Sequence, residues 1–415
     1  MIDLTPHIRP GDGIWWSQTS AEPTPLVHAL LDQVASIGPV RAFVGLTWDR
    51  RLTSELPDEL SVVSYGGLGE LRRLSGQSRL EVVPCHYGAL PRLFAERRLP
   101  CDVGFVQVSP PDSAGNCSLG VGVDYIADAV EHTPVLIAEI NRRMPVTLGA
   151  PRIPLSRFAA VIETDRPLLE APERPSAAGE LAIARNVAAL IDDGDTIQIG
   201  VGTLPSAVLA ALAGHKDLGL HSGMISDGVL RLIDSGVLTG ARKEIDPGLH
   251  VAGAALGTAA MYDRLPGMPV AFRPASYTHA PQVLSQLRSL VAINSAIEVD
   301  LTGQVGAELR NTTYAGAVGG QVDFSRAAAM TGGRSIIAVR AQSRGESTIK
   351  PVLEFGAVTT ARADVDFVVT EYGVAALRGC SLGERARRMI AVAAPEHRDK
   401  LEFDLDQNDL ASATE

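Results

Sequence analysis

Apolar and polar positions along the chain switch between two periods. Short apolar runs such as Ala42–Leu46, Val103–Val108 and Pro134–Ala138 are separated by stretches whose apolar residues recur at helical spacing. That alternation predicts parallel sheets covered by helices, an α/β fold. The clearest unit is Asp195–Leu212. Thr196 to Ile199 reads as a buried strand, Gly200 and Gly202 as a turn, and Pro205 opens a helix with Ala207, Val208 and Leu212 on its apolar face. A glycine turn at a helix N-terminus leaves amides unpaired and favours an anion, although a plain strand-to-helix connection has the same pattern. A second polar, glycine-rich turn follows at His221–Gly228.

The pattern repeats. Pro10-Gly-Asp-Gly-Ile14, a strand with Trp15 and Trp16, Glu22-Pro23 and the apolar helix Leu26–Leu31 are echoed by Asp193-Gly-Asp-Thr-Ile197, a glycine turn, Pro205 and another apolar helix. Ser64–Gly76 is echoed by Ser222–Gly236. These echoes predict a duplicated α/β unit, with chance similarity of Gly-Asp openings as the alternative. Between the halves, Glu163–Ser176 is proline-rich, charged and aperiodic, which predicts an extended linker. The expected organisation is one domain over 1–170, a second over 177–403, and a polar tail over 404–415.

Composition narrows the classes. A chain of 415 residues exceeds one ordinary core, and 46% hydrophobic with 5% aromatic residues suits an Ala/Val/Leu-rich α/β protein. A net charge of −11 argues against nucleic acid as a partner. No apolar run reaches membrane-spanning length and the start lacks a signal-peptide pattern. Cys85, Cys101, Cys117 and Cys380 show no metal-ligand spacing, so a reduced cytoplasmic protein without metal is expected. Symmetric soluble enzymes are usually homodimers, and that is the expectation here.

Three local features carry candidate chemistry. In Pro84-Cys-His-Tyr-Gly88, neighbours on an extended backbone point apart, which argues against a Cys85–His86 catalytic pair. In Gly316–Phe324, successive glycines let backbone approach a ligand and aim N–H groups at it. The third is Arg273–His279 with Asn294 and Glu298 beyond it, where a lone loop histidine such as His279 is by itself usually solvent-exposed. Ile293 to Leu301 reads as one strand with Asn294 and Glu298 on the same face, and a hydrogen-bonded strand-end carboxylate is the alternative to a catalytic one.

Six blocks in order, Gln107–Asp112, Gly115–Gly120, Ile197–Gly202, Ala292–Gln304, Gly319–Phe324 and Val369–Val374, resemble the acetyl-CoA hydrolase/transferase family, class I CoA-transferases of the 4-hydroxybutyrate or butyrate type. The resemblance implies two α/β domains packed face to face with the site between them. It implies coenzyme A or acyl-CoA, held at Gly200, Val201, Gly202, Thr203 and Leu204, at Asn294, and at Gly319 and Gly320, with Gly320 donating to the acyl oxygen. It also implies a small carboxylate as acceptor and a polar residue near the substrate at His279.

The chain departs from the family at the nucleophile. The family's glutamate sits in a His-Ser/Thr-Glu-Met turn, attacks the thioester and then carries CoA as a glutamyl thioester. Here the turn is His221-Ser222-Gly223-Met224, so the nucleophile position is vacated. Gln342-Ser343-Arg344 stands where the family has Thr-Ala-Lys, keeping a positive charge for the cofactor at Arg344. Gly88-Ala89 stands where the family usually has Ser-Glu, which hints at a roomier pocket. Three function classes follow: a CoA-transferase that recruits another carboxylate, Glu298 being the candidate; an acyl-CoA hydrolase or acyltransferase that admits water or an acceptor at Gly223; and a non-catalytic acyl-CoA-binding homologue.

Overall fold

The computed structural model describes residues 2–171, 173–354 and 356–407. The first half builds a parallel sheet from β1 (Gly13–Trp16), β2 (Val40–Phe43), β3 (Leu60–Ser64), β4 (Leu80–Val82), β5 (Val103–Val108), β6 (Val135–Asn141) and β7 (Phe158–Thr164). Its order is β4-β3-β2-β1-β5-β6-β7. Trp15 and Trp16 point to opposite faces of β1 and enter different hydrophobic clusters, as the period-2 geometry of a strand requires. Helix α1 (Thr24–Ile37) buries Leu26, Val27, Leu30 and Val34 against the Trp16 face.

The second half repeats that order. Its strands are β8 (Thr196–Ile199), β9 (Gly219–Leu220), β10 (His250–Ala252), β11 (Val270–Phe272), β12 (Leu290–Ser295), β13 (Arg334–Ala338), β14 (Phe367–Thr370) and β15 (Gly373–Ala376). β9, β8, β12, β13 and β14 are parallel neighbours in that order, and β15 adds an antiparallel edge. β10 and β11 pair in parallel and join β9 through the His221–Val251 bridge. The sequence β11-β10-β9-β8-β12-β13-β14 therefore matches the first sheet strand for strand, which is the duplicated unit that the Gly-Asp echoes predict. One continuous hydrophobic cluster runs from Trp15 and Phe43 through Tyr125 to Ile199 and Ile336, joining the two sheets.

Three local expectations are corrected. Residues 293–301 are not one strand: β12 ends at Ser295 and a separate short strand runs Glu298–Asp300, pairing with Val305–Gly306 and with Ile349–Lys350. The break at Ala296–Ile297 re-aims Glu298, so its face cannot be counted by twos from Asn294. The final helix, Pro395–Gln407, runs past the expected domain end at 403, anchored by Leu401 and Leu405 in the core; 408–415 of the expected tail lie outside the described residues. Glu163 and Thr164 belong to β7, so the extended segment begins after them. It carries no helix or strand before Ala178, and Pro172 within it lies outside the described residues. The segment is tied down: Arg166 forms an ion pair with buried Glu139, and Tyr262 donates its hydroxyl to the Leu169 carbonyl.

Candidate active site

Each sheet has a point where neighbouring strands lead away in opposite directions: β1 lies between β2 and β5, and β8 between β9 and β12. Beyond the carboxyl ends of such strands an α/β sheet opens a crevice. Here the two crevices share a cavity of about 250 Å³. The first half contributes Gln18 and Thr19 after β1, with Tyr65 and Tyr87; the second contributes Gln198 and Gly200 of β8 and its turn, Ser222 and Gly223, and Asn294 of β12. The turn Val318-Gly319-Gly320 and His279 close the wall.

The two halves are stitched together at this wall. Tyr87 N–H donates to the Gly319 carbonyl at 2.9 Å, and Gly88 N–H donates to Asp323 Oδ2 at 3.0 Å. Asp323 lies in the first turn of the helix Gln321–Thr331, and burial pushes its carboxyl up to about 7. Cys85, in the same loop, is pushed up to about 11 by burial and by Asp323, so its thiol stays protonated, in keeping with the sequence argument against it as a nucleophile.

His279 is buried between aromatic rings, its centroid 4.7 Å from Tyr87 and 4.8 Å from Phe324. Its Nδ1 lies 2.8 Å from Thr278 Oγ1, and that hydroxyl donates to the Pro274 carbonyl. In either tautomer the ring is held through Nδ1, and its Nε2 edge faces the glycines. Burial first, and nearby His221 second, push His279 down to about 3. Burial likewise lowers His221 and His250, each to about 4. The three rings are therefore neutral at pH 7. Two-dimensional NMR on ring-labelled protein is expected to show no titration of their signals between pH 8 and pH 5.5; a midpoint near 6.5 for His279 would contradict the buried, neutral assignment.

Gly223 and Gly320 approach the His279 ring. A Cβ on Gly223 would sit 3.0 Å from His279 Cε1 and 3.1 Å from Nε2; one on Gly320 would sit 2.5 Å from Nε2. Gly223 lies outside the left-handed region, so its backbone does not itself demand glycine. The Ser222 hydroxyl donates to the Ile199 carbonyl at 2.8 Å. The side chains of Gln198 and Asn294 pair with each other across β8 and β12.

Of the predicted anion turn, Gly200 reaches the cavity wall; Val201, Gly202, Thr203 and Leu204 run from it into helix α2, Thr203–Ala211. The helix begins at Thr203, so Pro205 falls within its first turn rather than at its opening. Gly202 caps it at φ +129°, a conformation that favours glycine.

The structure does not bring every candidate together. Glu298 and Arg344 line a second cleft of about 210 Å³ with Arg310, Lys350 and Glu354, whereas His279, Asn294, Gly319 and Gly320 gather at the Gly223 cavity. Glu298 accepts from the Glu354 amide at 3.2 Å. Among the described residues lining the Gly223 cavity there is no carboxylate, lysine or arginine.

Sequence reading missed the floor of the cavity. Gln18 Nε2 donates to Tyr87 Oη at 2.7 Å and to Asp124 Oδ2 at 2.8 Å, while its Oε1 accepts from Leu46 N–H and the Tyr65 hydroxyl. Thr19 beside it holds φ +58°, rare for a β-branched residue and typical of strained positions at functional sites. The available signal was the repeat itself: Gln18-Thr19 follows β1 as Val201-Gly202 follows β8, and Thr19 and Gly202 both hold positive φ.

The comparisons agree with this architecture. Residues 2–170 match the acetyl-CoA hydrolase/transferase N-terminal domain, and residues 257–405 match its C-terminal domain. The chain is 43% identical over 338 residues to the 4-hydroxybutyrate coenzyme A transferase of Clostridium kluyveri, covering 80% of this chain and 79% of that one. It is 29% identical to the butyryl-CoA:acetate CoA-transferase of Anaerostipes caccae, covering 95% and 92%. Among solved structures, RipA from Yersinia pestis superposes with a TM-score of 0.91 at 33% identity, covering 98% and 96%. A 4-hydroxybutyrate CoA-transferase from Porphyromonas gingivalis gives 0.82 at 35%, covering 97% and 95%. With both domain matches in order and the fold shared over nearly its whole length, the chain belongs to the acetyl-CoA hydrolase/transferase family.

Proposed function

We propose that this protein moves CoA between an acyl-CoA thioester and a small carboxylate, working as a cytoplasmic homodimer in which each chain forms one domain over 1–170 and a second from 177 to the end of the last helix at Gln407. The observation that carries the reading is the shared cavity at the switch points of both sheets, where Gly223 opens opposite the Gly319–Gly320 turn. The thioester carbonyl would accept from the Gly320 N–H, with the CoA chain leaving past Gly200 and α2. No carboxylate among the described lining residues can attack it, and Glu298 lies in the other cleft, so the covalent step is not assigned to Glu298. Instead the acceptor carboxylate occupies the space beside Gly223 and attacks directly. Its oxygen bonds to the acyl carbon, the C–S bond breaks, and CoA leaves as thiolate. That thiolate then attacks the acceptor-derived carbonyl of the mixed anhydride, forming the new thioester and releasing the first acyl group as its carboxylate.

Hydrolysis is the second reading, favoured by His279. Its Nε2 faces the same space and can hold a water there by a hydrogen bond, while burial keeps the ring too weak a base to store a proton at pH 7. The test is initial-rate kinetics with acyl-CoA and acetate, together with borohydride trapping. Intersecting double-reciprocal lines with no trapped adduct are expected. Parallel lines with a glutamyl adduct at Glu298, abolished in Glu298→Gln, would instead place the nucleophile in the second cleft. CoA release independent of acetate supports hydrolysis, and binding without turnover a non-catalytic role.

A further inference from the structure

The cavity floor has a chemistry that selects the acyl group, an inference that rests on the acyl-CoA reading above. We propose that this site takes an uncharged, apolar acyl group, and that the Gln18–Asp124 pair under its floor excludes acyl groups ending in a second carboxylate.

The walls facing the first half are Leu46, Tyr65, Leu68 and Tyr87, with Phe324 from the second. The polar atoms among them are already committed. A glutamine amide has two N–H donors and two acceptor lone pairs. Both Nε2 donors of Gln18 are spent on Tyr87 and Asp124, and Oε1 already accepts two bonds. Tyr65 donates its hydroxyl to Gln18. Tyr87 accepts from Gln18 and shares a further hydrogen bond with Asp124. Thr19 Oγ1 is unpartnered yet fully covered, and it is neutral. A polar tail packed on this first-half floor would lose its water and find the donors of Gln18, Tyr65 and Tyr87 engaged, the circumstance in which a buried charge is most penalised; the N–H groups that Gln198 and Asn294 do not spend on each other belong to the second half, beside the space given to the acceptor carboxylate.

The sign of the nearest charge adds to this. Asp124 opens helix Asp124–His132, is buried, and packs behind Gly223: a Cβ placed on Gly253 would meet both the Gly223 carbonyl and Asp124 Cβ. Burial raises its carboxyl to about 6, so it is largely ionised at pH 7.5. A carboxylate at the end of an acyl chain would meet a like charge through the Gln18 amide, with no lysine or arginine among the described lining residues to offset it.

The test measures binding to the full chain of two unreactive thioethers of equal length, S-butyl-CoA and S-(3-carboxypropyl)-CoA, by calorimetry at pH 7.5. The butyl compound is expected to bind on the order of 100-fold more tightly. Equal affinities, or preference for the carboxylate, would overturn the inference while leaving acyl-CoA binding intact. If neither thioether nor CoA itself binds, the acyl-CoA reading falls and takes the inference with it. In Asp124→Asn, which keeps the shape and removes the charge, the ratio is expected to narrow about tenfold through better binding of the carboxylate compound. If both thioethers weaken equally, Asp124 is only a scaffold for the floor and its part in exclusion is refuted.

Discussion

Gly320→Ala is expected to lower kcat/KM for acyl-CoA turnover by about 10²- to 10³-fold while the protein remains folded. The added methyl would lie 2.5 Å from His279 Nε2 and 2.8 Å from its Cδ2. The ring has little room to retreat, because Tyr87 and Phe324 pack against it and Thr278 holds Nδ1. The turn must therefore move, carrying the Gly320 N–H away from the acyl oxygen it is proposed to hold. Loss of one such donor typically raises the barrier by ~2.7–4 kcal/mol. The backbone of Gly320 sits at φ −86°, ordinary for alanine, so conformational strain is not the cause. Gly319→Ala provides the converse control. Nothing lies within 4 Å of its Cβ position, but its φ of +55° favours glycine, so about 1 kcal/mol of stability is expected to be lost with a smaller kinetic effect. Thermal melts and steady-state kinetics on both variants check this. A folded Gly320→Ala with kcat/KM within threefold of the parent would remove Gly320 from the site.

How far the sequence reached depended on whether the signal was local. Parallel strands write themselves as apolar runs, so Val103–Val108 and Thr196–Ile199 were legible directly, and the Gly-Asp openings exposed the duplication. The same local logic failed at Ala296–Ile297. Counting by twos assumes an unbroken pleat, and no proline or glycine at the break marked the end of the strand. That miscount placed Glu298 on the face of Asn294, when it belongs to a second cleft with Arg344 and Lys350. The Gln18 floor was illegible for a different reason. Gln18, Tyr65, Tyr87 and Asp124 are far apart in sequence and are brought together only by the folding of the first half, so no spacing could link them. Burial is equally hidden from sequence: His279 was singled out through the family resemblance, and nothing in its neighbours foretold the aromatic walls on both sides that make it neutral.

Gly223→Glu is expected to change how the reaction proceeds, and to do so by at least an order of magnitude. Gly223 lies on the cavity wall with the Gly319–Gly320 turn, and its φ accepts any L residue. The nearest atoms to a new Cβ are His279 Cε1 and Nε2, at 3.0 and 3.1 Å, so the imidazole must shift by a few tenths of an ångström. Since Gly320 presses the same ring from closer range, that shift is the main obstacle. A companion variant with His279→Asn relieves it by replacing the ring with a smaller polar group. Once seated, the glutamate carboxylate would attack the thioester and release CoA thiolate. The thiolate would then take the glutamyl carbonyl, leaving the first acyl group to depart as a carboxylate and CoA on the enzyme. A folded variant should therefore transfer CoA from butyryl-CoA to acetate at least tenfold faster than the parent, with parallel double-reciprocal lines. It should also be inactivated by hydroxylamine or borohydride only after acyl-CoA is added, with the label mapped to position 223. If the folded single and double variants form no adduct, Gly223 does not face the thioester. If the parent already forms one, the nucleophile lies elsewhere, and Glu298→Gln, which removes the charge at constant shape, then decides whether the second cleft supplies it.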